Sequence, residues 1–488
     1  MLDWLDFQAS PSLWDDVAAT AESHRARLAL RCGDESWTYG DLLSEARRIR
    51  DWLHAELDEG PILFAPRSTP SQVALILGAI GSGHVPVLAD PAWTTSELAA
   101  VIERCRIRTL VSDAPGAGLS VRSEYGGFHL LDVASAPPDG TWSVPAGTTF
   151  GRFTSGTTGM PRCLAFTDRA ALGAAAAWAQ AARISSSDRV LCIATLSNGL
   201  AFNTSLFTTL LTGATLVFHP GRLLPGPLGR TLTATEPTIL VGFPFLYEQL
   251  VHARGRVAVP QTLRLAVSSA ARLAPETRDA WQAMTGLSIC DYYGLAEVGP
   301  CTFNDGSRPN SVGTALAGVS IRVTDEYGTE VIPGEEGRIR VKTSSMALDF
   351  LDGEPPRLAQ ELDSEGYYIT KDKGIRLLSG HLALTGRVGR MVNVAGRKIQ
   401  PEEIESVLRA IPGVRAVIVR GEAVANGTAL AAYLEADGVT RQAVVAHCRA
   451  RLADYKVPQL ITILERLPRS SSGKPSLGRV LAQTGGAT

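Results

Sequence analysis

Apolar runs of strand length alternate with helix-length periodic stretches through most of this chain. Residues 73–79 (VALILGA) carry helical spacing, and 84–89 (HVPVLA) read as a short buried strand. Further strands are expected at 109–111, 190–194, 215–219, 238–242 and 263–268, with helices between them. One helix is expected over 169–182, where Thr167 and Asp168 can accept from the backbone N–H groups of its first turn. Strands alternating with helices argue for α/β layering around largely parallel sheets.

The pattern changes along the chain. Residues 134–148 (ASAPPDGTWSVPAGT) are rich in Pro, Gly and Ser and read as a surface crossing. From Gly313 the strands become shorter and turn-punctuated, at 319–323, 337–342 and 367–370, which suggests a small β-lobe. The last hundred residues have their own order: a helix at 401–409, strands at 416–420 and 429–434, a helix at 441–452 and a strand near 460–464. The stretch 384–390 (LTGRVGR) is the natural joint before this module, because its two Gly absorb large backbone changes. The expected division is 1–388 and 389–488.

Composition narrows the functional classes. The 488 residues suggest two or three domains. With 47 Lys+Arg against 49 Asp+Glu, the chain lacks the basic excess of a protein that binds nucleic acid or anionic membranes. Its 45% apolar content excludes wholesale disorder. The low-polarity stretch 170–182 is broken by Gly173 and Gln180 and is too short to span a bilayer. Seven scattered Cys, never spaced C-x-x-C, point to a reducing cytoplasm rather than a disulfide framework or zinc site. The N-terminus shows no basic segment followed by an apolar run, so no signal peptide is expected. Of the 47 basic residues 41 are Arg and six are Lys, all at or beyond position 342.

The candidate chemistry sits in a series of short motifs. Phe153-Thr-Ser-Gly-Thr-Thr-Gly-Met-Pro-Arg162 has two Gly and four hydroxyl residues in six positions, a turn able to wrap phosphate oxygens, though it is not a Walker loop. Asp291-Tyr-Tyr-Gly-Leu-Ala-Glu297 places aromatics before a Gly and a carboxylate three residues after it. An aromatic there can stack on a purine, and the carboxylate is a hard oxygen ligand for Mg²⁺; a strand end with a surface Glu is the plainer reading. Then follow Tyr368-Ile-Thr-Lys-Asp372, Gly386-Arg387, Gly396-Arg-Lys-Ile-Gln-Pro-Glu-Glu-Ile-Glu405 and Leu467-Pro-Arg-Ser-Ser-Ser-Gly-Lys474.

In that order and spacing the set resembles the acyl-adenylate-forming superfamily of acyl-CoA synthetases, peptide-synthetase adenylation domains and luciferases. The likeness runs from Trp37-Thr-Tyr-Gly-Asp-Leu42 to Gly473-Lys474. It implies a large N-terminal region of two packed α/β sheet subdomains plus a β-lobe, followed by a small mobile α+β C-terminal domain. It implies an ATP-dependent reaction in which a carboxylate attacks the α-phosphate to give acyl-AMP and pyrophosphate. A thiol of coenzyme A, or of a carrier protein's phosphopantetheine arm, then displaces AMP. Thr154, Ser155, Thr157 and Thr158 would cradle phosphates, Glu297 would bind Mg²⁺, and Tyr293 would stack on adenine. Asp372 would accept the ribose hydroxyls with Arg387 beside it, and Lys474 would bridge the carboxylate and α-phosphate. The small-molecule acid would meet Ser197 or Asn198, with Phe202, Phe243 and Phe245 as an apolar wall; Asn198 reads equally as a satisfied loop residue, and core packing is the plainer role for at least two of the three Phe.

The sequence departs from that pattern in several places. Arg162 ends the phosphate loop where Lys is usual, and Ala296 replaces a Thr before Glu297. Lys371 replaces a Gly and places a bulky cation near the nucleotide. Gly389-Arg390 stands at a usually acidic hinge, and Asn393 replaces a Lys associated with thioester formation. Asn203 stands where amino-acid-activating domains hold an Asp, which tilts the substrate toward a simple or aromatic acid. The leading expectation is an acid–thiol ligase that makes acyl-CoA. The alternatives are an adenylation enzyme loading a separate carrier protein in trans, and a diverged nucleotide-binding relative lacking the thioester step.

Overall fold

The computed structural model describes residues 12–467 except 59, 66, 92, 115–118, 134–143, 155–160, 222, 271–272, 274, 353–356, 388–390 and 425–426. They fall into two compact units. One is formed by the described residues of 1–91, 103–154 and 163–388, the other by those of 92–102, 155–162 and 389–488.

The first unit holds two large sheets. In the eight-stranded sheet the order is Asp349–Phe350, Cys163–Phe166, Phe150–Phe153, Val85–Leu88, Pro61–Phe64, Thr109–Ser112, Phe128–Asp132 and Ser120–Tyr125. Its four middle strands are parallel, and antiparallel pairs close both edges. In the nine-stranded sheet the order is Thr314–Ala315, Gly299–Asn304, Ile289–Leu295, Leu265–Ser268, Ile239–Gly242, Arg189–Cys192, Thr215–Phe218, Leu28–Cys32 and Glu35–Thr38. Its interior is parallel and its two ends antiparallel. Strands such as Thr215–Phe218 and Ile239–Gly242 are buried at every residue, which is why they read as unbroken apolar runs rather than alternating ones.

The helices are set by caps and close approaches. Thr38 and Asp41 form a reciprocal capping box that opens the helix Tyr39–Glu56, so the Trp37-Thr-Tyr-Gly-Asp segment is a helix start. Tyr39 is fully buried and donates its hydroxyl to the carbonyls of Thr209 and Ala214. The helix Pro70–Gly81 packs against it so closely that a Cβ at Gly78 would stand 2.6 Å from Cγ2 of Ile49. Asp168–Ala182 is capped by Thr167, and its Trp178 meets Tyr292 and Phe303 edge-on, fixing it to the nine-stranded sheet.

The β-lobe is a four-stranded antiparallel sheet of Val319–Thr324, Glu336–Thr343, Tyr368–Arg376 and Leu382–Arg387. Every strand and helix expected from periodicity is present. The strand expected over 190–194 ends at Cys192, and the helix expected over 441–452 ends at Arg449. The N-terminal pair Leu28–Cys32 and Glu35–Thr38 is an addition to that reading; only Ala29 and Leu30 of its nine residues are buried, too short a run to mark a strand. Among the described residues no helix is long and apolar enough to cross a membrane.

In the second unit the helices Pro401–Arg409 and Arg441–Arg449 cover a sheet of Val414–Val424, Gly427–Ala436 and Leu460–Leu464. Ile404, Leu408, Val419, Leu430, Leu434, Val444 and Cys448 form its core. Lys456 is buried in this unit, with Nζ 2.8 Å from Oε1 of Glu97 and 2.7 Å from Oε1 of Glu403. The other oxygen of Glu97 accepts from the backbone N–H and hydroxyl of Thr94, capping the helix Thr95–Arg104. Burial raises the Glu403 carboxyl above its usual range, only partly offset by Lys456. Burial also pulls the Lys456 ammonium down, but the attraction of Glu403, with Tyr455 and Glu97, raises it overall.

Replacing Lys456 by Met strands two carboxylates in an apolar site, and a loss of about 3–5 kcal/mol is expected at pH 7. The folded variant then holds its carboxyl protons more tightly than the unfolded chain does. Stability therefore rises as pH falls, and the deficit against the parent shrinks between pH 7 and pH 5. Denaturant unfolding of both proteins at the two pH values checks this; a deficit that stays constant with pH overturns the assignment.

Candidate active site

The expected site residues lie on several separate segments of the chain. Thr154 immediately follows the strand Phe150–Phe153, whose partner Cys163–Phe166 returns antiparallel, and the segment 154–162 connects the two in sequence. Ser155, Thr157 and Thr158 of that loop lie outside the described residues, and so does Lys474. Arg162, at the end of the loop, is buried.

Tyr293 lies near the end of the strand Ile289–Leu295. That strand bends back through Ala296, Glu297 and Val298 into Gly299–Asn304, and the pairing shifts register between Tyr293 and Gly294. Gly299 takes φ +74°, the left-handed region that closes this short turn without strain. A Cβ at Gly294 would meet the Gly299 carbonyl at 2.7 Å, so only glycine fits the crossing. The turn is pinned from outside: Ala347 N–H donates to the Glu297 carbonyl, and the Ser345 hydroxyl donates to that of Val298. Glu297 is thereby held at the tip with its carboxylate half-buried.

Asp372 sits in the strand Tyr368–Arg376 of the β-lobe, between Glu336–Thr343 and Leu382–Arg387, and is 8% exposed. Its backbone N–H donates to the hydroxyl of Thr370, which donates to the Ile339 carbonyl. The Tyr293 hydroxyl donates to Oδ2 of Asp372 at 2.8 Å. Two residues 79 positions apart, on strands of different sheets, are thus brought together. Arg387 is the backbone partner of Asp372 in the ladder. Lys371 is next to Asp372 in sequence, but burial alternates along this strand, so its side chain leaves from the opposite face.

The residues expected to meet the acid lie on two segments. Asn198 caps the helical turn Gly199–Ala201, its Oδ1 accepting from Leu200 N–H at 2.9 Å, and Ser197 hydrogen-bonds Thr195. The turn continues through a π-helical turn, Phe202–Leu206, in which the Thr208 hydroxyl donates to the carbonyl of Asn203 five residues back. Phe202 is fully buried against Phe150 and Phe207, whereas Phe243, before the helix Pro244–His252, is half-buried. Against the ring of Phe202 lies Arg152, a residue the sequence reading did not single out. Its signal was a single cation inside an otherwise apolar strand, Phe150-Gly-Arg-Phe153.

In the second unit, Asn393 accepts from Gly396 N–H across the hairpin Val392–Val394/Arg397–Ile399. Ala395 and Gly396 both take positive φ there, so Asn393 is a turn-forming residue. Gly389 and Arg390 lie outside the described residues. All seven cysteines are free thiols. Among the described residues no group of three or more His, Cys, Asp or Glu side chains could hold a metal by itself.

Known proteins bear on this arrangement. The sequence profile of the AMP-binding enzymes matches residues 17–351, and that of their C-terminal domain matches 403–474. The chain is 26% identical to the 3-hydroxybenzoate–CoA/4-hydroxybenzoate–CoA ligase of Thauera aromatica, over 97% of each chain. It is 27% identical to the anthranilate–CoA ligase of Pseudomonas aeruginosa, over 85% of each. The fold matches that of the o-succinylbenzoate CoA synthetase of Bacillus subtilis with a TM-score of 0.83 at 21% identity, covering 96% of this chain and 98% of that one. The chain belongs to the AMP-binding enzymes, the adenylate-forming acid–thiol ligases that activate carboxylic acids with ATP.

Proposed function

We propose that this enzyme converts an aromatic carboxylic acid into its coenzyme A thioester through an acyl-adenylate. The observation that carries the nucleotide half of the reading is the Tyr293–Asp372 hydrogen bond. It leaves one carboxylate oxygen of Asp372 in hydrogen bond with a phenol and orients the group to accept ribose hydroxyls, with the Tyr293 ring alongside for the purine. The aromatic acid rests on the hydroxybenzoate and anthranilate ligases among the relatives and on the phenyl rings of Phe202 and Phe243. The seven free thiols support a reducing, cytoplasmic setting.

The first step sets one anion against another, so the barrier is electrostatic and orientational. Thr154, Ser155, Thr157 and Thr158 offer hydroxyl and backbone donors to the phosphates. The single hard carboxylate of Glu297 suits a Mg²⁺ that arrives with the nucleotide, since such ions keep water and phosphate ligands rather than needing a protein cage. Mg²⁺ supplies charge neutralisation there. Lys474, by resemblance, would neutralise charge on the acid carboxylate and the α-phosphate as the acid oxygen bonds to phosphorus and pyrophosphate leaves. In the second step the thiolate sulfur bonds to the acyl carbon and AMP leaves with the electron pair.

Pyrophosphate exchange with a panel of aryl, fatty and amino acids tests the assignment, and an aryl acid is expected to give the fastest exchange. Product trapping should yield the coenzyme A thioester in preference to a loaded holo-carrier protein. Absence of exchange with every acid would remove the first step. Asp372→Asn is expected to raise the KM for ATP by roughly 10- to 100-fold, the worth of a hydrogen bond to a charged group. Lys474→Ala should lower the adenylation rate by about 10²–10³-fold while ATP still binds. Calorimetric ATP titration of the same variants separates the two effects, and normal exchange in Lys474→Ala would contradict the role given to it.

A further inference from the structure

Arg152 occupies the strand Phe150–Phe153, flanked by Val85–Leu88 and Cys163–Phe166, and is 3% exposed. Its guanidinium carbon lies 4.6 Å from the centroid of the Phe166 ring and 4.9 Å from that of Phe202. A Cβ built at Gly199 would stand 2.9 Å from Nη1, so the group lies against the bare Cα at the start of the segment carrying Phe202. Among the described residues its Nε is buried without a hydrogen-bond partner.

The charge state follows from the surroundings. Burial pulls the guanidinium down to about 10, opposed by Tyr292, Cys163 and Glu297, and it remains a cation at neutral pH. Burial raises both Tyr292 and Cys163, so neither supplies a negative charge there. Glu297, the remaining influence, acts on Arg152 least of the three. Two aromatic faces offset the loss of water in part, at about 1–2 kcal/mol each, but they do not replace a counter-ion. A buried cation without a paired anion costs several kcal/mol, a large share of a protein's net stability. Such a cost is retained where a ligand supplies the missing anion.

We propose that Arg152 is the anion-recognising residue of the acyl pocket, and that the acid this enzyme activates carries a second carboxylate, or a comparably charged oxygen group, that pairs with it. This rests on the acyl-CoA ligase reading above. The planar guanidinium presents parallel N–H donors that match a carboxylate two-to-two. Phe166 and Phe202, both buried in the core, flank it with apolar rings that keep water from the pairing. Asn198, Gly199 and Phe202 follow the parallel strand Arg189–Cys192, on the side where open α/β sheets bind their ligands. The substrate would thus be held at one end by Arg152 while its other carboxylate attacks phosphorus.

The test uses matched acids: phthalate, isophthalate, terephthalate, succinate and glutarate, each beside its monoamide, which keeps the shape and removes one charge. Titration calorimetry of the full-length enzyme should show at least one diacid bound about 10-fold or more tightly than its monoamide. Arg152→Met should abolish that preference, while its melting temperature is not lowered, because a thioether replaces an uncompensated charge. Arg152→Lys, which keeps the charge without the fork, should retain part of the preference even where the Met variant folds poorly. In pyrophosphate exchange the change should appear in KM for the diacid. The proposal is overturned where no diacid is favoured over its monoamide, or where the preference survives in Arg152→Met. It is equally overturned where both members of every pair weaken alike, which would assign Arg152 to the reacting carboxylate or to packing. Binding is read without turnover, so absence of exchange with all acids would count against the ligase reading alone.

Discussion

A carboxylate buried inside a β-sheet has to be given hydrogen-bond donors, and at Asp372 that requirement reaches across two sheets. The strand Tyr368–Arg376 belongs to the β-lobe, while the phenol that donates to Asp372 comes from the edge of the nine-stranded sheet. To deliver that phenol, the strand Ile289–Leu295 shifts its register beside Tyr293 and turns within three residues. The same turn fixes Glu297, whose backbone is held by Ala347. Aspartate is a poor strand residue, and here its placement sets the residues proposed to meet the nucleotide, Asp372, Tyr293 and Glu297, on one hairpin and its partner strand.

Two further buried charges show the alternatives open to a fold. Lys456 is satisfied internally, its ammonium shared between Glu97 and Glu403, one of which also caps a helix. It is a structural centre, and removing one member leaves the others costly. Arg152 is flanked by rings and has a buried, unpartnered Nε. Among the described residues this cation is only partly compensated, by two rings and the weaker influence of Glu297. Partial compensation of this kind is expected where a ligand completes the structure.

Much of this was legible in the sequence because the parallel strands, buried on both faces, leave unbroken apolar runs such as Thr215–Phe218. Helix starts were legible where side chains declare them, as at Thr167. What stayed hidden depends on distance or on the third dimension. The Tyr293–Asp372 bond joins residues 79 apart, and no local pattern marks it, although both residues were named from their motifs. Lys371 is next to Asp372 in sequence, but the strand's two-residue period sets the two side chains on opposite faces. For Phe202 the sequence left a pocket wall and core packing both open, and the structure packs it in the core against Phe150 and Phe207. Arg152 was overlooked because one Arg in a chain with 41 of them draws no notice.

That abundance of Arg sharpens how the few Lys should be weighed. Scarcity alone does not select functional positions, since Lys373 pairs with Glu336 at the surface and Lys342 reaches the ring of Tyr367. Geometry does better. At Lys456 two carboxylate oxygens from different segments converge within 2.8 Å of one nitrogen, a site for a compact ammonium and too narrow for a planar fork. At Arg152 the cation lies between two rings, where a flat, weakly hydrated guanidinium stacks and an ammonium would lose its water for little return. Drift toward Arg therefore left each buried cation matched in shape to its surroundings. For Arg152, the described surroundings offer rings and no ion pair, which is the place the proposal gives to a small acid.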